Sequence, residues 1–237
     1  MKLYNYYRSS AAFRVRIALE TKSLKYEYIA IHLAKGEQLN SAFGDILPDQ
    51  IVPVLELDGV AGASAGAGAG AGAAGQRLTQ SMAIIEYLEE TYPANPLLPP
   101  DAEARAQVRA LAQSVACEIH PLNNLRVLKY LVKVLRVEEE VKNVWVHHWI
   151  RRGLEAFERQ LQALDAQRAS QGLGKSQYCL GTTATVADLC LVPQIFNARR
   201  FNVNLDGLPR TMAVFDLCML QAAFQLAQPS GCPDFEP

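Results

Sequence analysis

The sequence predicts a two-domain protein in which an α/β domain precedes an all-helical domain. Up to residue 92, short runs of β-forming residues alternate with helical patterns, whereas from residue 101 onward the patterns are almost wholly helical. Between them, four of the eight residues 93–100 are proline, which can neither continue a helix nor donate a hydrogen bond. The predicted domains are therefore 1–92 and 101–237, with 93–100 as a linker.

The order of elements in the first domain is typical of a thioredoxin-like fold. Strand-forming runs occur at residues 2–6, 26–33, 52–57 and 77–80. Helices are predicted at residues 11–20, 37–43 and 81–91. Ser81 is a suitable N-cap for the last of these helices. Strand, helix and strand followed by a hairpin and a helix is the thioredoxin-like order.

The second domain is predicted to be a helical bundle. Its helical runs cover residues 102–119, 123–135, 137–164, 186–200 and 211–226. Thr185 and Asp188 have the spacing of a capping box, in which two side chains satisfy free N–H groups at the start of a helix. We assign this box a structural role.

Residues 59–75 interrupt the first domain and consist almost wholly of glycine, alanine and serine. Glycine loses much conformational entropy on ordering, and this run has no large apolar side chain to offset that loss. We therefore expect a mobile insertion without a catalytic role. A silk-like stacked strand is the alternative.

Composition and charge limit the classes of partner. With a formal net charge of −1, neither nucleic acid nor an anionic membrane is expected as a partner. No apolar run approaches the roughly 18 residues of a membrane span, and the amino terminus does not resemble a signal peptide. The five cysteines form no CxxC pair, which indicates reduced thiols and a cytoplasmic location. His32, His147 and His148 have no second ligand at metal spacing, so no metal is expected.

The junction between the first strand and the first helix could form an anion site. Arg8, Ser9 and Ser10 stand where free backbone N–H groups and the positive end of a helix dipole favour an anion. A serine hydroxyl at this point can stabilise a thiolate by hydrogen bonding and so lower the pKa of the thiol. The alternative is that the serine only caps the helix.

Two further junctions have the same ambiguity. The bond between Val52 and Pro53 precedes a strand and is either cis or an ordinary edge-strand proline. Gln80 and Ser81 present an amide, a hydroxyl and backbone N–H groups at the start of a helix. Those groups suit a carboxylate, but they also suit simple capping.

Together these motifs resemble zeta-class glutathione transferases, the family of the maleylacetoacetate and maleylpyruvate isomerases. The pattern is RSS, a phenylalanine and RVRIAL, then VP before a strand and QS before a helix. The runs IHPLNNLRVLKYL at 119–131, ADLCLVPQ at 187–194 and ARRF at 198–201 resemble the family as well. The resemblance covers nearly the whole chain apart from residues 59–75. It implies the glutathione transferase fold, with a glutathione-binding first domain and a substrate-binding helical domain.

The resemblance implies glutathione as the cofactor and assigns site residues in the first domain. Ser9 would hold the glutathione thiolate, and Val52, beside a cis Pro53, would pair its backbone with the cysteinyl part. Gln80 and Ser81 would hold the γ-glutamyl carboxylate. The other residues that would line the glutathione site are Ser10, Ala11, Ala12, Phe13, Arg14 and Gln38.

In the helical domain, four residues match positions that approach glutathione or the acceptor site: His120, Asn124, Leu125 and Arg126. Arg8 and Arg200 are candidates for binding the substrate carboxylates, because guanidinium groups bind carboxylates in a bidentate fashion. Ser9, Ser10 and Arg8 are the candidate catalytic residues.

The sequence departs from the family pattern at three places near this site. Ala11 stands where the family often has cysteine, which leaves the sulfur of glutathione itself as the nucleophile. Phe13 replaces a tryptophan, and Leu47, before Pro48, replaces an asparagine. At two other positions the chain matches part of the family. His120 replaces a glutamine of animal members but resembles bacterial-type sequences, and Leu125 matches the maleylacetoacetate type better than maleylpyruvate relatives that have an arginine there.

The implied activity is the cis–trans isomerisation of a small dicarboxylic acid, first of all maleylacetoacetate, by reversible addition of the glutathione thiolate. Maleylpyruvate isomerisation and broad-specificity glutathione conjugation are the catalytic alternatives. A glutathione-binding protein without activity is the non-catalytic alternative. A homodimer is expected from the same resemblance.

Overall fold

The computed structural model describes residues 1–44, 46, 49–58 and 75–236. The chain divides into two compact units, of which the first is Met1–Pro93 together with Leu226–Pro237 and the second is Ala94–Gln225. Most of the Gly/Ala insertion, residues 59–74, lies outside the described residues, as do Leu47 and Pro48.

The first unit is built on a four-stranded mixed sheet, which confirms the predicted α/β organisation. Its strands are β1 Lys2–Asn5, β2 Glu27–Ala30, β3 Val54–Glu56 and β4 Arg77–Thr79, in the order β2-β1-β3-β4. The first two strands are parallel, and the β1–β3 and β3–β4 pairs are antiparallel. A parallel pair needs a long crossover connection, and α1 Ser10–Thr21 supplies it.

The part of the first unit before Pro93 has two more α-helices, and a 3₁₀ helix at Pro229–Gly231 lies in its carboxyl-terminal part. A 3₁₀ turn at Glu37–Leu39 precedes α2 Ser41–Gly44, and α3 Ser81–Thr91 follows β4 directly. Helices α1 and α3 pack against each other. The prediction that Ser81 is the N-cap of α3 is wrong, because Gln80 is the N-cap and Ser81 is the first helical residue.

The carboxyl terminus differs from the predicted domain division. Residues from Leu226 onward pack with the first unit, although the sequence placed all of 101–237 in the helical domain. The reason is apolar burial: Cys232 is 8% exposed and joins an apolar cluster with Tyr6, Tyr7 and Val54 of the first unit.

The second unit is entirely helical in its described secondary structure, as predicted. It contains α4 Ala102–Gln113, α5 Leu125–Lys133, α6 Glu139–Ser170, α7 Val186–Arg200 and α8 Pro209–Cys218, and α9 Ala222–Ala227 runs across its boundary with the first unit. Among the described helices, none combines the length and apolar character that crossing a membrane requires.

Two predicted helices of the second unit are interrupted. After α4 the backbone changes to a π-helix at Ser114–Ile119 and a 3₁₀ turn at His120–Asn123. Pro121 has no N–H to donate to the preceding turn, so the α-helical pattern cannot continue through it. The run predicted at 211–226 is divided into α8, which begins earlier at Pro209, and α9. Proline suits the first position of a helix.

The capping box of α7 is confirmed. The Thr185 N–H and hydroxyl donate to Asp188 Oδ2 at 2.7 and 2.8 Å. The Cys179 N–H donates to the other carboxylate oxygen at 2.9 Å. Asp188 is fully buried, and its described bonds hold the start of α7, the preceding loop and, through the Cys218 thiol, α8, which is a structural role.

Candidate functional site

Three junctions that were singled out in the sequence lie at one edge of the sheet. Tyr4 of β1 pairs with Val54 of β3, and Val54 pairs with Thr79 of β4. Because both pairings are antiparallel, the carboxyl ends of β1 and β4 and the amino end of β3 meet at the same edge. The residues next to these strand ends are Arg8-Ser9-Ser10, Val52-Pro53 and Gln80-Ser81.

Ser9 caps α1 and also keeps a proton to donate. It has extended backbone angles, φ −70° and ψ 112°, and its Oγ accepts the Ala12 N–H at 3.1 Å. A hydroxyl has two acceptor lone pairs and one donor proton, so capping uses only a lone pair. Within the described part of the chain, no acceptor takes the Ser9 proton. Capping and donation to a thiolate are therefore compatible.

Val52 and Pro53 form the second part of the site. Their peptide bond is cis, as the family resemblance implies. The Val52 side chain is buried in the apolar cluster of the first unit, so only the backbone N–H and C=O of this residue are candidates for pairing with a ligand.

Gln80 has a backbone conformation that side-chain-bearing residues rarely adopt. Its φ is +66° and its ψ is 114°, and its carbonyl accepts the Ile84 N–H at 3.0 Å. A conformation of this kind costs on the order of 1–3 kcal/mol and recurs at functional sites. The side-chain amide of Gln80 is exposed beside the start of α3, and the amino-terminal end of a helix favours a carboxylate.

Arg14 places a buried positive charge next to Ser81. Its side chain is 2% exposed, and Nη1 donates to Ser81 Oγ at 3.3 Å. The Nε and Nη2 atoms have no hydrogen-bond partner among the described residues. Burying unpaired donors of a cation is unfavourable, and a carboxylate would satisfy them. The site therefore has the donors and the charge to bind the carboxylate of a ligand such as glutathione.

The remaining predicted residues of the first unit differ in exposure. Gln38 is half-buried in the 3₁₀ turn before α2, and its Oε1 is buried without a partner in the described residues. Arg8 is exposed, with its guanidinium 5.2 Å from the centre of the Tyr7 ring. The others lie along the first turns of α1, where Ala11 is half-buried and Ser10, Ala12 and Phe13 are buried.

The predicted residues of the second unit are described within that unit alone. His120 is half-buried and begins the 3₁₀ turn before α5. Asn124 caps α5, since its Oδ1 accepts the Arg126 N–H at 3.1 Å, while Leu125 and Arg126 are exposed in the first turn. Arg200 ends α7, exposed, with its guanidinium 4.7 Å from the centre of the Phe201 ring.

Other chemistry is not indicated by the described residues. No group of three or more His, Cys, Asp or Glu side chains in them could hold a metal ion. All five cysteines are free, and burial raises the pKa of the Cys179, Cys218 and Cys232 thiols.

Sequence reasoning missed the carboxyl-terminal residues that reach this site. Asp234 Oδ2 accepts the Tyr7 N–H at 3.2 Å, two residues before Ser9. The contact joins positions 227 residues apart, and no local pattern around Asp234 indicates it.

Comparison with known families gives two matches, one in each half of the chain. The model for the glutathione S-transferase N-terminal domain matches residues 1–90. The model for the glutathione S-transferase C-terminal domain matches residues 148–216. These matches confirm the predicted fold class.

Relatives match over almost their whole lengths. A maleylpyruvate isomerase from Ralstonia sp is 45% identical over 99% of this chain and 99% of its own. A probable maleylacetoacetate isomerase from Vibrio cholerae is 42% identical over 98% of this chain and 97% of its own.

Two solved structures of similar proteins match the whole chain. The holo structure of a bacterial maleylpyruvate isomerase, a zeta-class glutathione S-transferase, has a TM-score of 0.85 and 44% identity, with all of both chains covered. A maleylacetoacetate isomerase from Anaeromyxobacter dehalogenans, with dicarboxyethyl glutathione and citrate bound in its active site, has a TM-score of 0.81 and 38% identity. That match covers 100% of this chain and 94% of the other.

Proposed function

We propose that this chain, which belongs to the zeta-class glutathione transferase family of maleylacetoacetate and maleylpyruvate isomerases, is a glutathione-dependent cis–trans isomerase of a small dicarboxylic acid. Maleylacetoacetate is the first candidate substrate. One structural observation carries the proposal: a hydroxyl donor at Ser9 and a buried, unsatisfied cation at Arg14 lie beside strand ends that share one edge of the sheet.

The described donors fit glutathione as the cofactor. Arg14, Ser81 and the N–H groups at the start of α3 would bind its γ-glutamyl carboxylate, with the exposed Gln80 amide beside them. The backbone of Val52 would pair with the cysteinyl part, and the buried Gln38 Oε1 would accept from the tripeptide. Three of these groups, Arg14 Nε, Arg14 Nη2 and Gln38 Oε1, are buried without a partner among the described residues and would gain one.

Isomerisation needs a double bond to become temporarily single. The chemistry that glutathione supplies when bound is reversible addition of its thiolate to the conjugated bond, which lets that bond rotate before the sulfur leaves. Ser9 would donate its free proton to the sulfur, and the positive end of α1 would add to that stabilisation. Both effects favour the charged form and hold the thiol pKa below its ordinary value of about 8.5.

Arginines would bind the substrate and polarise it. Arg8 is exposed next to Ser9, so its guanidinium is available to a substrate carboxylate and to the enolate charge that develops on addition. Arg200 is the candidate for a second carboxylate. The dicarboxyethyl glutathione bound to the Anaeromyxobacter relative supports a dicarboxylic acid, because a thiol that adds across the double bond of a butenedioic acid gives that group.

Maleylpyruvate is the second candidate substrate. The maleylpyruvate isomerase from Ralstonia sp, at 45% identity, is slightly more similar to this chain than the Vibrio protein at 42%. Leu125 is the residue that favours maleylacetoacetate. Both acids share the maleyl group, so the same thiolate chemistry serves either one.

A homodimer in the cytoplasm is part of the proposal. The resemblance supports an interface between the first domain of one chain and the helical domain of its partner. Exposed apolar side chains on α5, α6 and the loop between them support an apolar contact as well: Tyr130, Val134, Leu135, Val141 and Val144. Light scattering at micromolar concentration would give the mass of a dimer, and a monomer would contradict this part.

Turnover of both acids, with and without glutathione, tests the proposed function. Ser9→Ala is expected to lower kcat about 10- to 100-fold, the range of a hydrogen bond to a charged group. Ser9→Thr keeps a hydroxyl and is expected to retain more activity. Ser170→Ala is the matched control, since that serine is exposed at the end of α6.

Two results would contradict the proposal. Activity that does not depend on glutathione would exclude the thiolate mechanism. Lasting glutathione adducts with ordinary electrophiles, together with no turnover of either acid, would indicate a conjugating transferase instead.

A further inference from the structure

The carboxyl-terminal segment, residues 228–236, reaches the turn that precedes Ser9. Asp234 Oδ2 accepts the backbone N–H of Tyr7 at 3.2 Å, and its Oδ1 accepts the Tyr28 hydroxyl proton in a short hydrogen bond. Tyr28 lies on β2, opposite Leu3 of β1. The Asp234 carboxylate therefore joins the end of β1 to the edge strand of the sheet.

Further contacts of the same segment hold Tyr7. The Tyr7 hydroxyl donates to the carbonyl of Glu236 at 3.1 Å, and the Phe235 ring meets the Tyr7 ring edge-on with centroids 5.6 Å apart. Cys232 is buried in the apolar cluster that contains Tyr6 and Tyr7. The segment thus contacts both the backbone and the side chain of Tyr7.

Arg16 fixes the carbonyl side of the same turn. It is 1% exposed and donates to the carbonyls of Tyr6 at 3.4 Å and Tyr7 at 3.1 Å. Its Nε also donates to the carbonyl of Ala227, at the start of the carboxyl-terminal region. The Tyr6 carbonyl in turn accepts the Ser9 N–H at 2.9 Å. Asp234 therefore binds a backbone N–H of this turn, and Arg16 binds two of its backbone carbonyls.

We infer that Asp234 is a positioning residue for Ser9, which holds the turn so that the hydroxyl of Ser9 faces the sulfur of bound glutathione. This inference rests on the proposed function. The described hydrogen bonds of Asp234 go to Tyr7 and Tyr28, so it acts on Ser9 through the Tyr7 N–H. A carboxylate suits this task because charge-assisted hydrogen bonds are shorter and stronger than neutral ones. A misplacement of about 1 Å in a catalytic group is enough to cost a large factor in rate.

Tyr28 sets the orientation of the Asp234 carboxylate. Burial, and after it the hydrogen bond to Asp234, raises the pKa of Tyr28, so its hydroxyl stays protonated and donates throughout the working pH range. With Oδ1 engaged by that donor, Oδ2 is directed at the Tyr7 N–H. Tyr28→Phe removes this orienting bond and leaves Asp234 itself in place.

Titration of the bound glutathione thiol by its ultraviolet thiolate absorbance, against a glutathione-free blank, is the primary test. Asp234→Ala is expected to move the ionisation to higher pH and to lower kcat about tenfold at neutral pH, since Ser9 no longer faces the sulfur. The KM for glutathione is expected to change less than about twofold, because the γ-glutamyl contacts at Ser81 are intact.

Conservative variants separate positioning from a general loss of structure. Asp234→Asn is expected to keep most of the wild-type thiol ionisation and kcat. Its Oδ1 can accept from the Tyr7 N–H, while the Tyr28 hydroxyl turns to accept from Nδ2. Tyr28→Phe is expected to give a smaller shift in the same direction as Asp234→Ala. Glu236→Gln is the matched control, because its carboxylate contacts only Lys35 and His32 among the described residues.

Alkylation of Cys232, measured by peptide mass spectrometry, reports whether the segment is still docked in each variant. If Asp234→Ala and Tyr28→Phe both ionise bound glutathione as the wild type does, the inference is wrong, whether Cys232 is protected or not. If Glu236→Gln gives the same shift as Asp234→Ala, the effect is one of surface charge and the inference is likewise wrong. An unaffected Ser9→Ala would instead overturn the role of Ser9 in the proposed function.

Discussion

Arg14 Nη1 lies 3.3 Å from Ser81 Oγ, and the guanidinium it belongs to is buried with two nitrogens that no described residue satisfies. A second arginine two residues along the same helix, Arg16, is equally buried but donates to four acceptors: Asn5 Oδ1 and the carbonyls of Tyr6, Tyr7 and Ala227. The described residues thus satisfy the Arg16 guanidinium, whereas two nitrogens of the Arg14 guanidinium have no partner among them.

The two arginines are expected to respond oppositely to replacement. Arg14→Met should raise the KM for glutathione about 10- to 100-fold, the range of a hydrogen bond to a charged group. It should leave the ligand-free thermal stability unchanged or higher, because an unpaired buried charge is removed. Arg16→Met should lower the free energy of unfolding by about 2–4 kcal/mol, because buried acceptors lose their donor.

Calorimetry and initial rates on the two variants check this contrast. A large loss of ligand-free stability in Arg14→Met would show that the cation is satisfied in the protein alone. An unchanged KM would remove Arg14 from the glutathione site.

We expect that replacing Gln80 by glycine raises the stability of the protein and lowers its affinity for glutathione. Gln80→Gly removes the cost of the positive φ and should raise the free energy of unfolding by about 1 kcal/mol. The same change deletes the exposed amide, so the affinity for glutathione should fall. Denaturant unfolding with and without glutathione measures both effects, and a stability unchanged or lowered in the absence of ligand would contradict the strain argument.

Alkylation of the native protein is expected to be selective. Cys117 is exposed, whereas Cys179, Cys190, Cys218 and Cys232 are buried. Since the thiolate is the reactive form, the raised pKa of three of the buried thiols adds to their protection. Iodoacetamide at neutral pH should therefore modify Cys117 alone, and peptide mass spectrometry would identify the site. Modification of Cys190 at a similar rate would contradict the described burial.

The ion pair between Glu56 and Arg77 is expected to make stability depend on pH. Their carboxylate and guanidinium are 2.9 Å apart, and the hydrogen bond from Arg77 holds the pKa of Glu56 below its ordinary value of 4.5. A lowered folded-state pKa gives stability that is fully present above the unfolded-state pKa and is lost as the pH falls through the folded-state value. The Glu56→Gln variant should not show this loss of stability at low pH.

Urea unfolding from neutral pH down to the acid limit of folding measures this difference. The gap between wild type and Glu56→Gln should narrow as the pH falls. Lys2→Gln is the control, since Lys2 is exposed and 3.8 Å from the same carboxylate, and it should change the curve little. A gap that stays constant with pH would contradict the ion-pair argument.

The parts of the site that follow local chemical rules were predictable from the sequence. Ser9 is an N-cap because its side chain and position suit one, and strands rich in aromatic and β-branched residues formed where expected. The sheet order then brings the three junctions to one edge. The cis state of Pro53 came from the family resemblance, because no local pattern reveals the isomer.

The parts that depend on tertiary contacts were not predictable. The N-cap of α3 is Gln80 and not Ser81. This was not predictable, because the positive φ of Gln80 cannot be inferred from a glutamine in the sequence. The family resemblance assigned Arg14 to the glutathione site, but the burial of its side chain was not expected, because arginine is usually exposed. The bond from Asp234 to Tyr7 spans nearly the whole chain and leaves no periodic signal.

The docking of the last residues on the first unit has a consequence for biosynthesis. A ribosome makes Tyr7 227 residues before Asp234, so the nascent chain can fold most of its sheet while the turn before Ser9 still lacks the hydrogen bond to Asp234. We expect the chain to gain its full capacity to activate the thiol only after Asp234 has left the ribosome and docked on the first unit.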